Sequence, residues 1–212
     1  IDGVSKDSTL DKINKYASKI NIVLSEADKG MYYAMNKGIS LASGDLIGIL
    51  NSDDLFYDNQ VVNKVVKCIE NDNNDAVYGD LIYFKDNKVT RYWKSGNFSI
   101  KKMKLGWMPP HPTFFVKKNI YDKFGLFDVS FKTSADYELI LRFLLKHNIN
   151  VSYIPEVLIK MKIGGQSNRS IKNRIKANIE DKRAWNVNNL KIPFYTRYLK
   201  PLLKINQYLK KY

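Results

Sequence analysis

Met31-Tyr32-Tyr33-Ala34-Met35-Asn36-Lys37-Gly38-Ile39-Ser40-Leu41-Ala42 is followed by Ser43-Gly44 and then by Asp45-Leu46-Ile47-Gly48-Ile49-Leu50-Asn51-Ser52-Asp53-Asp54. In the first part Met31, Ala34, Met35, Gly38, Ile39 and Ala42 recur at i, i+3, i+4, i+7 and i+8, the stripe of an amphipathic helix. Gly44 stops it. Residues 45–50 form a brief apolar run, as expected of a buried strand, and the run ends in a polar, acidic turn. A helix feeding directly into such a strand is half of an α/β unit.

The same alternation extends in both directions. Leu10, Ile13 and Tyr16 follow a Ser/Thr cap as a short helix, and residues 20–24 suit a strand. Residues 60–70 return to helix and 75–79 to strand, and 81–93 suit a hairpin turning at Asp86-Asn87. After a loop stiffened by Pro109, Pro110 and Pro112, residues 117–124 and 134–147 suit helices, the second with Leu139, Ile140, Phe143 and Leu144 inward. Strands are expected at 150–154 and 157–161, on either side of Pro155. Residues 164–167 suit a flexible loop, and the remainder reads as basic helix broken at Pro193 and Pro201. This order predicts an α/β fold, a mixed but mostly parallel sheet flanked by helices. The expected division is a globular domain over 1–170 and a basic helical tail over 171–212.

The chain has 212 residues, 44% hydrophobic and 26% charged, a globular composition and not a disordered one. Its longest apolar runs fall far short of the ~20 residues of a spanning helix. The single cysteine, Cys68, cannot form an internal disulfide, so a reducing compartment is the default. A formal net charge of +14 suggests an anionic partner, whether nucleic acid, phospholipid surface or phosphorylated substrate. Much of the excess lies in residues 171–212, where eleven Lys and Arg face only Glu180 and Asp181. There is no Gly-rich phosphate loop, nucleophile elbow or helical zinc motif.

Four groups of residues are equipped for chemistry. Asp53 and Asp54 stand at the carboxyl end of a strand, where open α/β sheets bind ligands, and their hard oxygens suit Mg²⁺ or Mn²⁺. Such pairs are also ordinary helix caps. Asp136 falls in the first turn of a helix, which suits either an ionised general base or a routine helix-start acid. Asn36 and Lys37 lie off the apolar face of their helix, free to meet a nucleotide. Trp107 and His111 sit on the proline-stiffened loop, where a Trp offers a sugar-stacking surface; a lone His is more often structural.

The order of the blocks is more specific than any one of them. Ile1-Asp2-Gly3, Ser25-Glu26-Ala27-Asp28-Lys29-Gly30-Met31, Ala42-Ser43-Gly44-Asp45 and Leu50-Asn51-Ser52-Asp53-Asp54 come first. Tyr78-Gly79-Asp80, His111-Pro112-Thr113, Gly125-Leu126-Phe127-Asp128, Ala135-Asp136-Tyr137-Glu138 and Gly164-Gly165-Gln166-Ser167 follow. Together they closely resemble the family 2 inverting glycosyltransferases, in the bacterial branch that builds capsule, exopolysaccharide and lipopolysaccharide sugars. The resemblance implies a Rossmann-like nucleotide-diphospho-sugar transferase fold of the GT-A type. It implies that Asp2 contacts the nucleotide base and that Lys37 lies near the base or phosphates. Asp54 is implied as a direct metal ligand, with Asp53 beside it and nearer the ribose, and Asp136 as the catalytic base. Trp107, His111 and Glu138 are implied on the acceptor side, and Gln166 and Ser167 on a loop near the diphosphate.

The implied reaction is a metal-assisted single displacement from a nucleotide-diphospho-sugar to a saccharide or lipid-linked saccharide acceptor, with Mn²⁺ or Mg²⁺ as cofactor. The family's pattern begins with a strand and helix ahead of the Ile1-Asp2 block. None precedes it in this sequence, so a pocket short of one strand and an exposed sheet edge are expected. An inactive nucleotide-sugar-fold binding or assembly protein is the alternative. Nucleic acid is not an expected partner. The basic, aromatic tail suggests peripheral contact with an anionic membrane, on the cytoplasmic face.

Overall fold

A computed structural model describes residues 1–86, 88–163, 171–196, 199–200, 202–203 and 207. The elements are α1 (Thr9–Asn14), α2 (Met31–Leu41), β1 (Leu46–Ile47), β2 (Asp54–Phe56), α3 (Val61–Asn71), β3 (Ala76–Lys85), β4 (Lys88–Trp93), α4 (Ile100–Lys104), β5 (Phe115–Lys117), α5 (Lys118–Phe124), α6 (Ala135–Leu141), β6 (Val151–Lys162) and α7 (Ile171–Val187). The sheet runs β1-β5-β3-β6-β2, and β4 pairs with β3 outside that path.

The α/β fold with a mixed sheet is as expected, but parallel pairing does not dominate. Among the described strands only β3 and β6 pair parallel. The β1–β5, β2–β6, β3–β4 and β3–β5 ladders are antiparallel. Helix–strand alternation records which elements occur and not the end at which each strand enters the sheet. The strand expected over residues 20–24 reduces to one parallel bridge, Asp2 to Ser25. Pro155 does not divide β6. The β3–β6 register shifts between Tyr78 and Asp80, and that irregularity accommodates a residue that has no N–H to donate. At the same place a Cβ on Gly79 would meet Leu158 Cγ at 2.5 Å and the Glu156 carbonyl at 2.9 Å, so the close approach of β3 and β6 requires glycine.

Alternate residues of β3 feed two cores. On one face Val77 and Leu81 meet Val61, Val65 and Ile69 of α3, an i, i+4, i+8 stripe. On the other, Ala76 and Tyr78 join Val116, Tyr121, Leu139, Ile140 and Phe143. After Leu141 the α6 helix widens into a π turn over Arg142–Lys146.

The second core crosses the expected division at residue 170. Ala184 and Trp185 of α7 are buried in it, and the Trp185 indole donates to the Tyr137 hydroxyl at 2.9 Å. The Lys200 ammonium pairs with Asp181 at 2.6 Å and lies 3.6 Å from the centroid of the Tyr137 ring. Basic residues there reflect helix surface and ion pairing, while Ala184 and Trp185 complete the core and Ile179, Val187 and Phe194 stay exposed. No described helix is long and apolar enough to cross a membrane.

Candidate active site

Asp136 is the second residue of α6, where the helix dipole favours an anion. The Tyr32 hydroxyl, from α2, donates to Asp136 Oδ1 at 3.3 Å. Tyr32 is buried and stacks on Phe127 with ring centroids 5.6 Å apart. Burial, and then the neighbouring Asp136 charge, push the phenol pKa up, so it remains a donor. His111 meets the same Phe127 ring edge-on at 5.4 Å. Burial holds its pKa below the usual imidazole value against the opposing pull of Asp136, which leaves it neutral at neutral pH. The fold therefore gathers Asp136, His111 and Tyr32. Tyr32 was not singled out from the sequence, where it falls outside the apolar stripe read for this helix; only the packing of α2 toward α6 reveals it.

Asn36 fixes that packing. Its amide donates to the Phe127 carbonyl at 2.9 Å and accepts from the Phe127 N–H at 3.0 Å. Both polar ends are engaged, so Asn36 clamps α2 to the turn after α5 and does not point at a nucleotide, as the sequence suggested.

Glu138 also departs from expectation. It is buried, and Arg142 grips both carboxylate oxygens, Nε to Oε1 at 3.0 Å and Nη2 to Oε2 at 2.9 Å. Asn188 of the α7 region adds a third donor at 3.1 Å. The periodicity of α6 explains this: two residues after Asp136, the chain has turned inward, and Glu138 serves the core and not the acceptor side.

Trp107 stands on the proline-stiffened loop, its indole donating to the Ser95 carbonyl at 2.8 Å and its ring edge-on to Tyr78. Thr113, fully buried, ties that loop to β3 through the Gly79 carbonyl at 3.0 Å. Trp107 lines a cleft of about 220 Å³ together with Trp93, Lys94, Lys102 and Met108.

Asp54 opens β2 and is 3% exposed, whereas Asp53 is exposed. Asn51 donates to Asp54 Oδ2 at 2.8 Å, and Oδ1 is buried with no hydrogen-bond partner. Burial pushes the Asp54 pKa up, the Asn51 bond pulls it down, and the Asp53 charge adds to the rise. A buried, unpartnered carboxylate oxygen beside a second acid is the environment a hard divalent cation relieves. The two residues therefore fit such a cation, although among the described residues no group of three His, Cys, Asp or Glu side chains is assembled to hold one. Among the described residues no hydrogen bond or ion pair links Asp53 or Asp54 to the Asp136 group.

Asp2 and Lys37 belong to a third cluster. The Asp2 carboxylate accepts from the Ser5 hydroxyl, from the Ser25 hydroxyl at 2.7 Å and from the Ser5 N–H at 3.1 Å, and these bonds hold its pKa down to about 2. Its carbonyl accepts from the Glu26 N–H at 3.0 Å. Glu26 in turn pairs with Lys37, which also lies 2.5 Å from Asp28. These contacts, that to Asp28 first, raise the Lys37 pKa. Gln166 and Ser167 lie outside the described residues.

Residues 1–145 match the family model for glycosyl transferase family 2. The chain belongs to this family. A PGL/p-HBAD biosynthesis glycosyltransferase of Mycobacterium bovis is 28% identical over 173 residues, covering 79% of this chain and 66% of the relative. A glycosyltransferase of Mycobacterium tuberculosis is 32% identical over 146 residues, covering 67% of this chain and 55% of that one. The chain thus spans about two thirds or less of the length of these relatives. Among solved structures, Staphylococcus aureus TarS in complex with UDP-GlcNAc superimposes with a TM-score of 0.68 at 15% identity, over 93% of this chain and 58% of TarS. The mannosyltransferase PcManGT of Pyrobaculum calidifontis, in complex with GDP-Man and Mn²⁺, gives 0.61 at 16% identity, over 98% of this chain and 59% of that one. These likenesses establish the GT-A type fold of the family 2 domain.

Proposed function

We propose that this family 2 domain transfers a sugar from a nucleotide-diphospho-sugar to an acceptor hydroxyl with inversion at the anomeric carbon. The observation that carries this reading is the grouping of Asp136, Tyr32 and His111 at the head of α6. Tyr32 occupies Asp136 Oδ1 and so leaves Oδ2 to the acceptor. Oδ2 takes the proton of the acceptor hydroxyl as its oxygen bonds to the anomeric carbon, and the bond from that carbon to the diphosphate oxygen breaks. Neutral His111 lies beside the carboxylate without neutralising it, and with Trp107 it borders the acceptor.

Asp53 and Asp54 hold a divalent cation, Mn²⁺ or Mg²⁺, which when bound supplies charge neutralisation for the departing nucleoside diphosphate. Asp2 and Lys37 face the nucleotide, the ammonium oriented by Glu26 and Asp28. Gln166 and Ser167 remain proposed for the diphosphate loop. The solved relatives in complex with UDP-GlcNAc and with GDP-Man and Mn²⁺ support a sugar-nucleotide donor and a cation. The motif blocks support a role in bacterial cell-surface polysaccharide synthesis.

Peripheral contact with an anionic membrane completes the reading. Phe194 is 83% exposed, and Lys176, Ile179, Lys182 and Lys191 are exposed in the same region of the chain. The test of the function is Asp136→Asn, with donor binding and turnover measured separately. Donor affinity is expected near that of the unmodified protein and turnover lower by about 100-fold or more, the scale for loss of a general base. Undiminished turnover would remove Asp136 from the chemistry.

A further inference from the structure

The segment that precedes Asp136 is held from outside its own helix. Glu180, on α7, accepts from the Lys132 N–H at 2.9 Å, from the Thr133 N–H at 2.8 Å, from the Thr133 hydroxyl at 2.7 Å and from the Ser134 N–H at 3.0 Å. One carboxylate thus gathers three consecutive backbone amides, and the last belongs to the residue that immediately precedes α6. Ser134 offers α6 no side-chain cap of its own. Burial opposes the Glu180 charge, yet the amides and the Thr133 hydroxyl outweigh it and hold the carboxyl pKa below its usual value. One turn along α7, Arg183 Nη1 donates to the Ser130 carbonyl at 3.2 Å, and its guanidinium lies 4.2 Å from the centroid of the buried Phe131 ring. Apart from the Glu138 N–H of α6, which donates to the Ser134 carbonyl at 3.0 Å, the hydrogen bonds that hold the Lys132–Ser134 turn come from α7, and Asp136 follows two residues later.

We infer that Glu180 is a positioning residue for the proposed base: its carboxylate fixes the Lys132–Ser134 turn and thereby the place of Asp136 against the acceptor. This inference rests on the function proposed above. Orientation carries the effect, since displacing a reacting group by about 1 Å costs up to about 100-fold in rate. Donor binding does not depend on this turn, because Asp2, Lys37, Asp53 and Asp54 lie on other elements.

Glu180→Gln tests the inference with two readouts. The first is hydrogen exchange at the amides of Lys132, Thr133 and Ser134 in the whole chain, which needs no activity. Gln keeps one acceptor oxygen but turns an N–H₂ toward a set of donors that engages both carboxylate oxygens, so exchange there should speed up while the amides of α3 stay as they were. Unchanged protection of the turn would overturn the inference.

The second readout is turnover with whichever of UDP-glucose, UDP-galactose, UDP-GlcNAc and GDP-mannose the unmodified protein consumes fastest in the presence of Mn²⁺. Glu180→Gln should lower kcat about 10- to 100-fold with donor KM unchanged. Glu180→Asp, which keeps the charge, should recover part of it. In an Asp136→Asn background, Glu180→Gln should cost little more, because it acts through a base already lost. A full kcat in Glu180→Gln, or an equal loss with and without Asp136, would overturn the inference, because the second outcome is that of a merely structural residue. Unimpaired Asp136→Asn, or no turnover of any donor, defeats the base assignment and the catalytic half of this inference with it. The exchange measurement then still decides whether Glu180 holds the turn, so the two failures are told apart.

Discussion

Replacing Trp185 by Ala tests whether α7 is a structural part of the domain or an appended tail. Trp185 is 1% exposed, in the core that also holds Leu139, Ile140 and Phe143. An indole of this kind removes about 150–250 Å² from water, worth about 4–6 kcal/mol at 25 cal/mol per Å². Direct measurements on buried Trp or Phe truncations fall at about 3–5 kcal/mol. Truncation also strips the Tyr137 hydroxyl of the indole donor at 2.9 Å, although that hydroxyl keeps its own proton to donate. About 4 kcal/mol is therefore expected, a large share of the roughly 5–15 kcal/mol that stabilises a typical domain. With a urea m-value of about 2–3 kcal/mol/M, the midpoint should fall by about 1.3–2 M. Trp185→Phe, which keeps most of the buried ring and loses the hydrogen bond, should lose less than half as much. The assay is equilibrium urea unfolding followed by far-ultraviolet circular dichroism. A Trp185→Ala midpoint within about 0.3 M of the unmodified protein, well inside that expected fall, would refute the reasoning and return α7 to the status of a tail.

Asp54→Asn should abolish the dependence of donor binding on Mn²⁺, seen by titrating UDP-GlcNAc or GDP-mannose calorimetrically with and without the metal; retained dependence removes Asp54 from the site. Because the Asp54 pKa is raised, Mn²⁺ affinity should already fall at a pH above the ordinary carboxylate range, and Mn²⁺ titrations across pH 4–7 would show this. Asp2 has the opposite sign. Its folded pKa of about 2 lies below the unfolded value near 3.8, so its contribution is complete above about pH 4 and is lost as pH falls toward 2. Asp2→Asn should accordingly flatten the acid limb of a Tm-against-pH curve, and an unchanged limb would count against the Ser5 and Ser25 bonds. For membrane contact, Phe194→Ser combined with Lys191→Glu should reduce co-sedimentation with vesicles containing phosphatidylglycerol at low salt, while neutral vesicles bind neither form; equal binding by both proteins would sink the claim.

Much of the fold can be read from periodicity. Val61, Val65 and Ile69 repeat every four residues, and that stripe is the face of α3 that packs on the sheet. The β3–β4 hairpin turns after Lys85, with Asp86 at φ 48°, while Asn87 lies outside the described residues. Strand direction is not written in such patterns, which is why the sheet is less parallel than expected. The site was legible in part. Asp136 and His111 come together, and Asp54 has the buried, unpartnered oxygen that a cation would satisfy. Burial and the engagement of a side chain, however, are properties of three-dimensional neighbours. Glu138 looks like a site acid until Arg142 is placed beside it, and Asn36 looks free until both ends of its amide meet Phe127. A Lys- and Arg-rich sequence such as that of α7 disguises a helix whose Ala184, Trp185 and Asn188 are core residues, because the charged majority outweighs them in any average.

The burial of Ala184 and Trp185 also bears on how the protein is made. Synthesis proceeds at about 5–20 residues per second, so roughly 2–9 seconds separate the appearance of Leu141 from that of Trp185. Throughout that interval the face of α6 that Trp185 will cover has no partner, and Asp136 stands on a turn that Glu180 has not yet fastened. A nascent chain interrupted there would present Tyr137 and its apolar neighbours to chaperones and proteases. Quality control thus has a natural checkpoint at the emergence of α7: a chain acquires a settled Asp136 only when it has also acquired a closed core.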